Sequence, residues 1–237
     1  MSAAAALVAA AICSGACAGP LTQTRSATLS QLLPPGQAAL VEKTLATDRP
    51  LQFQVRLPGE GKHGVLVYVS PTDSGELAPA WVPVLDSKNL LYVAADGFGN
   101  SRPTAERVLA ALGALRLAHT LGPLDEKRLY IAGMSGGGRV ASQVITHFPE
   151  LFAGAFCIVG ADYFLPNDEA QRARVTSRRL VLLTGSRDFN YEELRLVYRR
   201  YQQGGVTNIR LIDVPDLGHE QASRVQLTSA IEFLDGS

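Results

Sequence analysis

Six short, largely apolar runs constrain this chain more than any other feature. They are Val65–Val69 (VLVYV), Leu90–Ala95 (LLYVAA), Leu129–Ala132, Ala155–Val159, Leu180–Thr184 (LVLLT) and Ile209–Val214. Runs of this length without strict alternation suit strands covered on both faces. Leu51–Leu57 differs, because Phe53, Val55 and Leu57 alternate onto one side before Pro58, Gly59 and Gly61 end it.

Helical periodicity fills the gaps. Thr104–His119 carries Val108, Leu109, Leu112, Leu115 and Ala118 at three- and four-residue spacing. Gly136–His147 follows a strand directly, Tyr191–Tyr201 ends at Gly204-Gly205, and Gln221–Leu234 forms the last helix. Strand and helix in alternation, with strongly apolar strands, predict a three-layer α/β domain with a mostly parallel central sheet. The longest break in the second half is Ala161–Val175, a candidate cleft cover or surface connection.

The chain has 237 residues, 46% apolar and 19% charged, enough for one globular core, which we place at residues 51–237. Residues 19–50 are expected to be an irregular lead-in. Lys+Arg and Asp+Glu balance at 22 each with no basic run, so nothing suggests a nucleic-acid surface. Three Cys exclude a disulfide scaffold. The four His lack metal-ligand spacing, and His219-Glu220 has no second His to complete a zinc motif. His63 is expected in a turn, and His119 and His147 at helix ends.

Residues 2–12 (SAAAALVAAAI) form an uncharged apolar run too short to span a bilayer. Ala16-Cys17-Ala18 then fits the small-x-small rule, so residues 1–18 read as a signal peptide cut after Ala18, with a secreted or periplasmic product. No Lys or Arg precedes the run, and an Ala-rich tail is the simpler alternative. Cys17 offers a lipid-anchor site, although Ser14-Gly15-Ala16-Cys17 lacks the Leu usual in lipoproteins. Cys157, within an apolar run, is expected to be a buried structural thiol.

The chemistry centres on Ser135. Gly133-Met134-Ser135-Gly136-Gly137 satisfies G-x-S-x-G between a strand and a helix, the context of a nucleophile elbow. A Gly-rich turn or anion loop is the plainer account, but a P-loop would need a Lys that is absent here. A serine nucleophile requires a base, and the base an orienting acid. Asp188 follows the strand Leu180–Thr184, and His219 follows Ile209–Val214. In a parallel sheet both strand ends face one crevice. The chain order Ser, Asp, His is that of an α/β-hydrolase. Asp216 and Glu220 are alternative acids. Asp96, Asn100, Tyr163, Phe164, Asn190 and Tyr191 lie in or beside loops that could line the cleft.

With these residues in view, Gly64–Phe233 resembles the α/β-hydrolase superfamily, and within it secreted bacterial esterases of the polyhydroxybutyrate-depolymerase and feruloyl-esterase-like group. The resemblance rests on Asp96-Gly97-Phe98-Gly99-Asn100, Leu124-Asp125-Glu126-Lys127-Arg128, Gly133 to Gly137, and His147-Phe148-Pro149-Glu150-Leu151-Phe152-Ala153-Gly154. It implies a three-layer α/β-hydrolase fold with a mostly parallel central sheet. It also implies hydrolysis of an ester through an acyl-enzyme, with Ser135, Asp188 and His219 as the triad, no cofactor, and a small-molecule or polymer-derived ester as substrate. The backbone N–H groups of Gly136 and Thr72 would hold the oxyanion. One position departs from the group: His-Gly is usual where this chain has Ser70-Pro71. Pro71 has no N–H, and loss of one oxyanion donor costs about 3–4 kcal/mol in the transition state.

Other functions fit the same text. One is a non-catalytic binding protein on a hydrolase scaffold, or a structural envelope component. Another is a serine peptidase with the same triad order, although 237 residues leave little room for the substrate-selecting domain such peptidases carry. Nothing in the sequence specifies the oligomeric state.

Overall fold

The computed structural model describes residues 21–33 and 50–236. The expected signal segment, its cleavage site and the Cys17 anchor all lie outside the described residues. The described chain runs β1 (Leu21–Ala27), α1 (Leu29–Leu32), β2 (Leu51–Leu57), β3 (His63–Val69), α2 (Val82–Lys88), β4 (Leu90–Ala95), α3 (Thr104–Ala118), β5 (Leu124–Met134), α4 (Gly136–His147), β6 (Gly154–Ile158), α5 (Glu169–Thr176), β7 (Arg179–Gly185), α6 (Tyr191–Gln203), β8 (Ile209–Val214) and α7 (Arg224–Asp235). A single 3-10 turn, Pro79–Trp81, leads into α2.

The strands form one eight-stranded sheet in the order β1-β2-β4-β3-β5-β6-β7-β8. From β4 to β8 every neighbouring pair is parallel. At the other end β2 is antiparallel to both β4 and β1. The strand order reverses between β3 and β5, and such a switch point opens a crevice at the carboxyl ends of the strands.

Successive side chains of the inner strands alternate between two cores. Val65, Val67, Ile131, Cys157 and Leu182 face one layer, which α3, α4 and α6 cover. Leu66, Tyr68, Tyr130, Phe156 and Leu183 face the other, under Trp81, α2 and α7. Both faces are therefore dry, which explains why these strands read as continuous apolar runs.

Some expectations need correction. Leu21–Ala27 lies in the stretch expected to be irregular, yet it is an edge strand paired with β2 from Leu21↔Leu57 to Ala27↔Leu51. Its polar, mostly exposed text (LTQTRSA) is what an edge strand facing water carries. The last helix begins at Arg224 rather than Gln221, because Ser223 and Gln226 form a reciprocal capping box there. His63 is not in a turn. It is the buried first residue of β3, with Nδ1 2.8 Å from Asn89 Oδ1.

Candidate active site

Ser135 sits between β5 and α4 in a backbone conformation that L side chains seldom adopt, φ 54° and ψ −122°. Such a conformation costs on the order of 1–3 kcal/mol and persists only where the surroundings enforce it. Here the Ser135 N–H donates to the Ile158 carbonyl at 2.8 Å, and the Ser135 carbonyl accepts from the Arg139 N–H at 3.1 Å. The flanking glycines let the helix close onto the sheet. A Cβ at Gly133 would run into the backbone of Gly137, and one at Gly137 into the Val69 carbonyl. The motif spacing is therefore a steric requirement of this turn.

The expected base and acid converge on that serine. His219 Nε2 lies 2.8 Å from Ser135 Oγ, and His219 Nδ1 lies 3.0 Å from Asp188 Oδ1. The Asp188 side chain is 0% exposed and the His219 side chain 24%. Asp188 Oδ1 also accepts the Asn190 N–H at 2.8 Å, while Asn190 Nδ2 donates to the Val159 carbonyl at 2.9 Å. Asp188 is thus fixed to the ends of two adjacent strands, β6 and β7. Glu220, an alternative acid, accepts the Gly218 N–H instead, and the Asp216 N–H is bound to Ser186 Oγ. The imidazole Nδ1 is already taken by Asp188.

The two backbone groups expected to hold an oxyanion differ in their bonding. The Gly136 N–H lies in the first turn of α4, where backbone donors have no intrahelical partner. The Thr72 N–H, the expected second donor, donates to Ser70 Oγ at 3.2 Å, and the two hydroxyls are 3.1 Å apart. Without an N–H at Pro71, the Ser70 hydroxyl folds the loop back on itself. That loop is stitched to residues 97–100: Gly97 N–H donates to the Asp73 carbonyl, Gly99 N–H to Asp73 Oδ1, and Asn100 N–H to the Pro71 carbonyl at 2.9 Å.

Sequence reasoning missed Arg107. This guanidinium is buried in α3 and donates to three carbonyls, Phe98 at 3.1 Å, Gly136 at 3.1 Å and Ser70 at 2.9 Å. It ties together the Ser70 loop, the Phe98 loop and the start of α4 beside Ser135, and burial lowers its pKa. Phe189 was also missed. It is 79% exposed and stacks on the His219 ring, 4.2 Å between centroids and 26° between planes. An exposed large aromatic directly after a candidate acid was the available signal.

A hollow of about 400 Å³ opens beside the Ser70–Thr72 loop, lined in part by Tyr68, Leu77, Pro79 and Gln221. The Tyr68 hydroxyl, bonded to Gln221, is pushed up to about 12 by burial. Other candidate cleft residues are used elsewhere. Asp96 accepts from Gly75 N–H and Gln54, Tyr191 bonds Asp213, Phe164 stacks on His147, and Tyr163 packs on Tyr201. Among the described residues no His/Cys/Asp/Glu cluster could hold a metal ion, and no helix is long and apolar enough to cross a membrane.

No family model and no curated protein matches the sequence. Solved structures do match in fold. A ferulic acid esterase aligns over 91% of this chain and 98% of its own, with a TM-score of 0.65 at 16% identity. The S-formylglutathione hydrolase of Staphylococcus aureus aligns over 91% and 97%, with a TM-score of 0.61 at 13% identity. Dipeptidyl peptidase 4 of Porphyromonas gingivalis aligns over 80% of this chain but 34% of its own, with a TM-score of 0.60 at 17% identity. The architecture is that of the α/β-hydrolases.

Proposed function

We propose that the protein is a serine-dependent carboxylic ester hydrolase acting through an acyl-enzyme. The observation that carries this is the unbroken chain of hydrogen bonds from Ser135 Oγ through His219 to the buried Asp188. A strained serine, a base in hydrogen-bond contact and an acid orienting that base are the parts nucleophilic catalysis needs. In this mechanism His219 Nε2 takes the Ser135 proton as Oγ attacks the substrate carbonyl. Asp188 holds the imidazole with Nδ1–H toward it and stabilises the imidazolium. The Gly136 N–H, at the positive end of α4, meets the developing oxyanion. His219 then returns its proton to the alcohol, and water releases the acyl group by the same route. No cofactor is required.

The substrate class is a small or polymer-derived ester, and the exposed Phe189 on the His219 ring favours one with a bulky, partly apolar group. The N-terminal segment fits export, with cleavage after Ala18 as its test by mass of the recovered chain.

The experiment is intact-mass analysis after fluorophosphonate treatment, with Ser135→Ala as control, followed by panels of esters and peptides. A single adduct absent from the control, with turnover of esters, is the expected result. Folded protein that takes no adduct would instead identify a binding protein on this scaffold, and peptide cleavage without ester cleavage a peptidase.

A further inference from the structure

Charge on a tetrahedral oxyanion is normally met by two donors. Here one is evident, the Gly136 N–H. The Thr72 N–H points to Ser70 Oγ and Pro71 has none. What occupies the space beside Gly136 is the Asn100 side chain. A Cβ built on Gly136 would collide with Asn100 Oδ1, with Asn100 Nδ2 3.1 Å from the same point. Asn100 is exposed, and its side-chain amide has no hydrogen-bond partner among the described residues. Its backbone is nonetheless held, because its N–H donates to the Pro71 carbonyl at 2.9 Å.

We propose that the Asn100 carboxamide is the second oxyanion donor, a side-chain N–H in place of the backbone N–H that the folded-back Ser70-Pro71-Thr72 loop has turned away. The proposal rests on the reading of Ser135 as nucleophile. Carboxamide oxygen and nitrogen exchange places by rotation about one bond, and among the described residues no partner holds the Asn100 amide in either orientation. An oxyanion accepts hydrogen bonds only, so it selects the orientation with Nδ2 inward. When Ser135 Oγ bonds to the carbonyl carbon, the C=O π pair moves onto oxygen, and that oxygen takes the Gly136 and Asn100 N–H bonds. When the intermediate collapses, the pair returns, the bond to the alcohol oxygen breaks, and that oxygen takes the proton from His219. Gly136 is then explained as well. Only a residue without a Cβ leaves room for the carboxamide next to the helix N-terminus.

The test uses the full chain and three variants, Asn100→Ala, Asn100→Asp and Gly136→Ala. Readouts are the rate of fluorophosphonate labelling, kcat and KM on an ester that the wild type turns over, and affinity for a boronic acid that mimics the tetrahedral state. Asn100→Asp keeps the shape and the backbone bond to Pro71 but has no N–H, so it decides the matter if the alanine variant folds poorly. The expected result is a fall in kcat of about 100- to 1,000-fold for each Asn100 variant with KM little changed. Boronic-acid affinity should fall in parallel. Adding Asn100→Ala to Gly136→Ala should cost nothing further, since both remove one interaction. If the wild type is labelled and both Asn100 variants react at its rate, this proposal is overturned alone. A folded wild type that is never labelled overturns the serine-hydrolase reading and this proposal with it.

Discussion

Arg107 Nη2 donates to the Ser70 carbonyl at 2.9 Å, although Arg107 lies within α3 and Ser70 beyond the end of β3. Its other donors go to Phe98 and Gly136, so all three partners are carbonyl oxygens. A planar fork can span three acceptors in this way, and a lysine ammonium on a flexible stem cannot. Arg107→Lys should therefore keep the charge and lose the geometry. Each hydrogen bond to a charged donor is worth about 1.5–3 kcal/mol. We expect a loss of about 2 kcal/mol in stability and a fall of roughly ten-fold or more in kcat, checked by denaturant melts and by kinetics on one ester. Equal kcat in the lysine variant would show that the fork does not position the oxyanion segments.

The burial of Asp188 against the exposed alternatives makes a second prediction. Asp188→Asn should present an N–H donor or an amide oxygen where the imidazole needs a carboxylate, and lower kcat by about 10⁴-fold, as loss of the acid does in serine proteases. Asp216→Asn and Glu220→Gln should each stay within a few-fold of wild type. A large loss at Glu220 with little at Asp188 would reassign the acid.

Phe189 is chemically unnecessary to the triad, so its effect should appear in selectivity. Aromatic pairing of this kind is worth about 0.5–1.5 kcal/mol. Phe189→Ala should lower kcat/KM by roughly two- to ten-fold for esters with an aryl or long acyl group, and leave acetyl esters nearly unchanged. Paired progress curves on the two substrate classes decide this. A uniform loss would mean that the ring acts on His219 alone.

Arg139 forms a fork with Glu193, at 2.7 and 2.6 Å, and also reaches Asp162 at 2.8 Å. The hydrogen bond from Arg139 holds the Glu193 carboxyl below its ordinary range. A depressed folded-state pKa gives stability that is full above the unfolded value of about 4.3 and is lost as pH falls through the lower, folded value. Glu193 is substantially exposed, so the effect should be small. Melts of wild type and Glu193→Gln should differ at neutral pH and converge in acid. A gap that widens in acid would contradict the assignment.

The inner strands and the meeting of Ser135, Asp188 and His219 were legible because they depend on local text: apolar runs, a Gly-bounded serine, and Asp and His at successive strand ends. The face of α3 was legible only in part. Of the periodic Val108, Leu109, Leu112, Leu115 and Ala118, Leu115 and Ala118 are buried, whereas Val108, Leu109 and Leu112 are half-buried and Arg107, Ala110, Ala111, Ala114 and Leu117 share the buried face. Small residues let the helix approach the sheet closely, while Leu109 and Leu112 border a hollow with Leu33 and Leu151. An arginine in a helix reads as solvated until the carbonyls around it are known. The short helices were missed for separate reasons: α2 carries Pro83 in its first turn, and α5 buries a single side chain, Val175. The local bonding of Thr72 was not legible either. Counting donors along a loop does not reveal that a neighbouring hydroxyl, Ser70 Oγ, has already claimed one.

β8 borders the sheet on one side only, and the loop after it carries His219. Margins of a sheet open more readily than its centre. The proposed nucleophile follows β5, inside the sheet, and its proposed base follows the edge strand β8, so reactivity of Ser135 would report whether the half of the sheet from β5 to β8 is assembled. Warming should silence the serine while most helical signal remains, which makes the labelling rate a gauge of fraying at one rim rather than of unfolding at large.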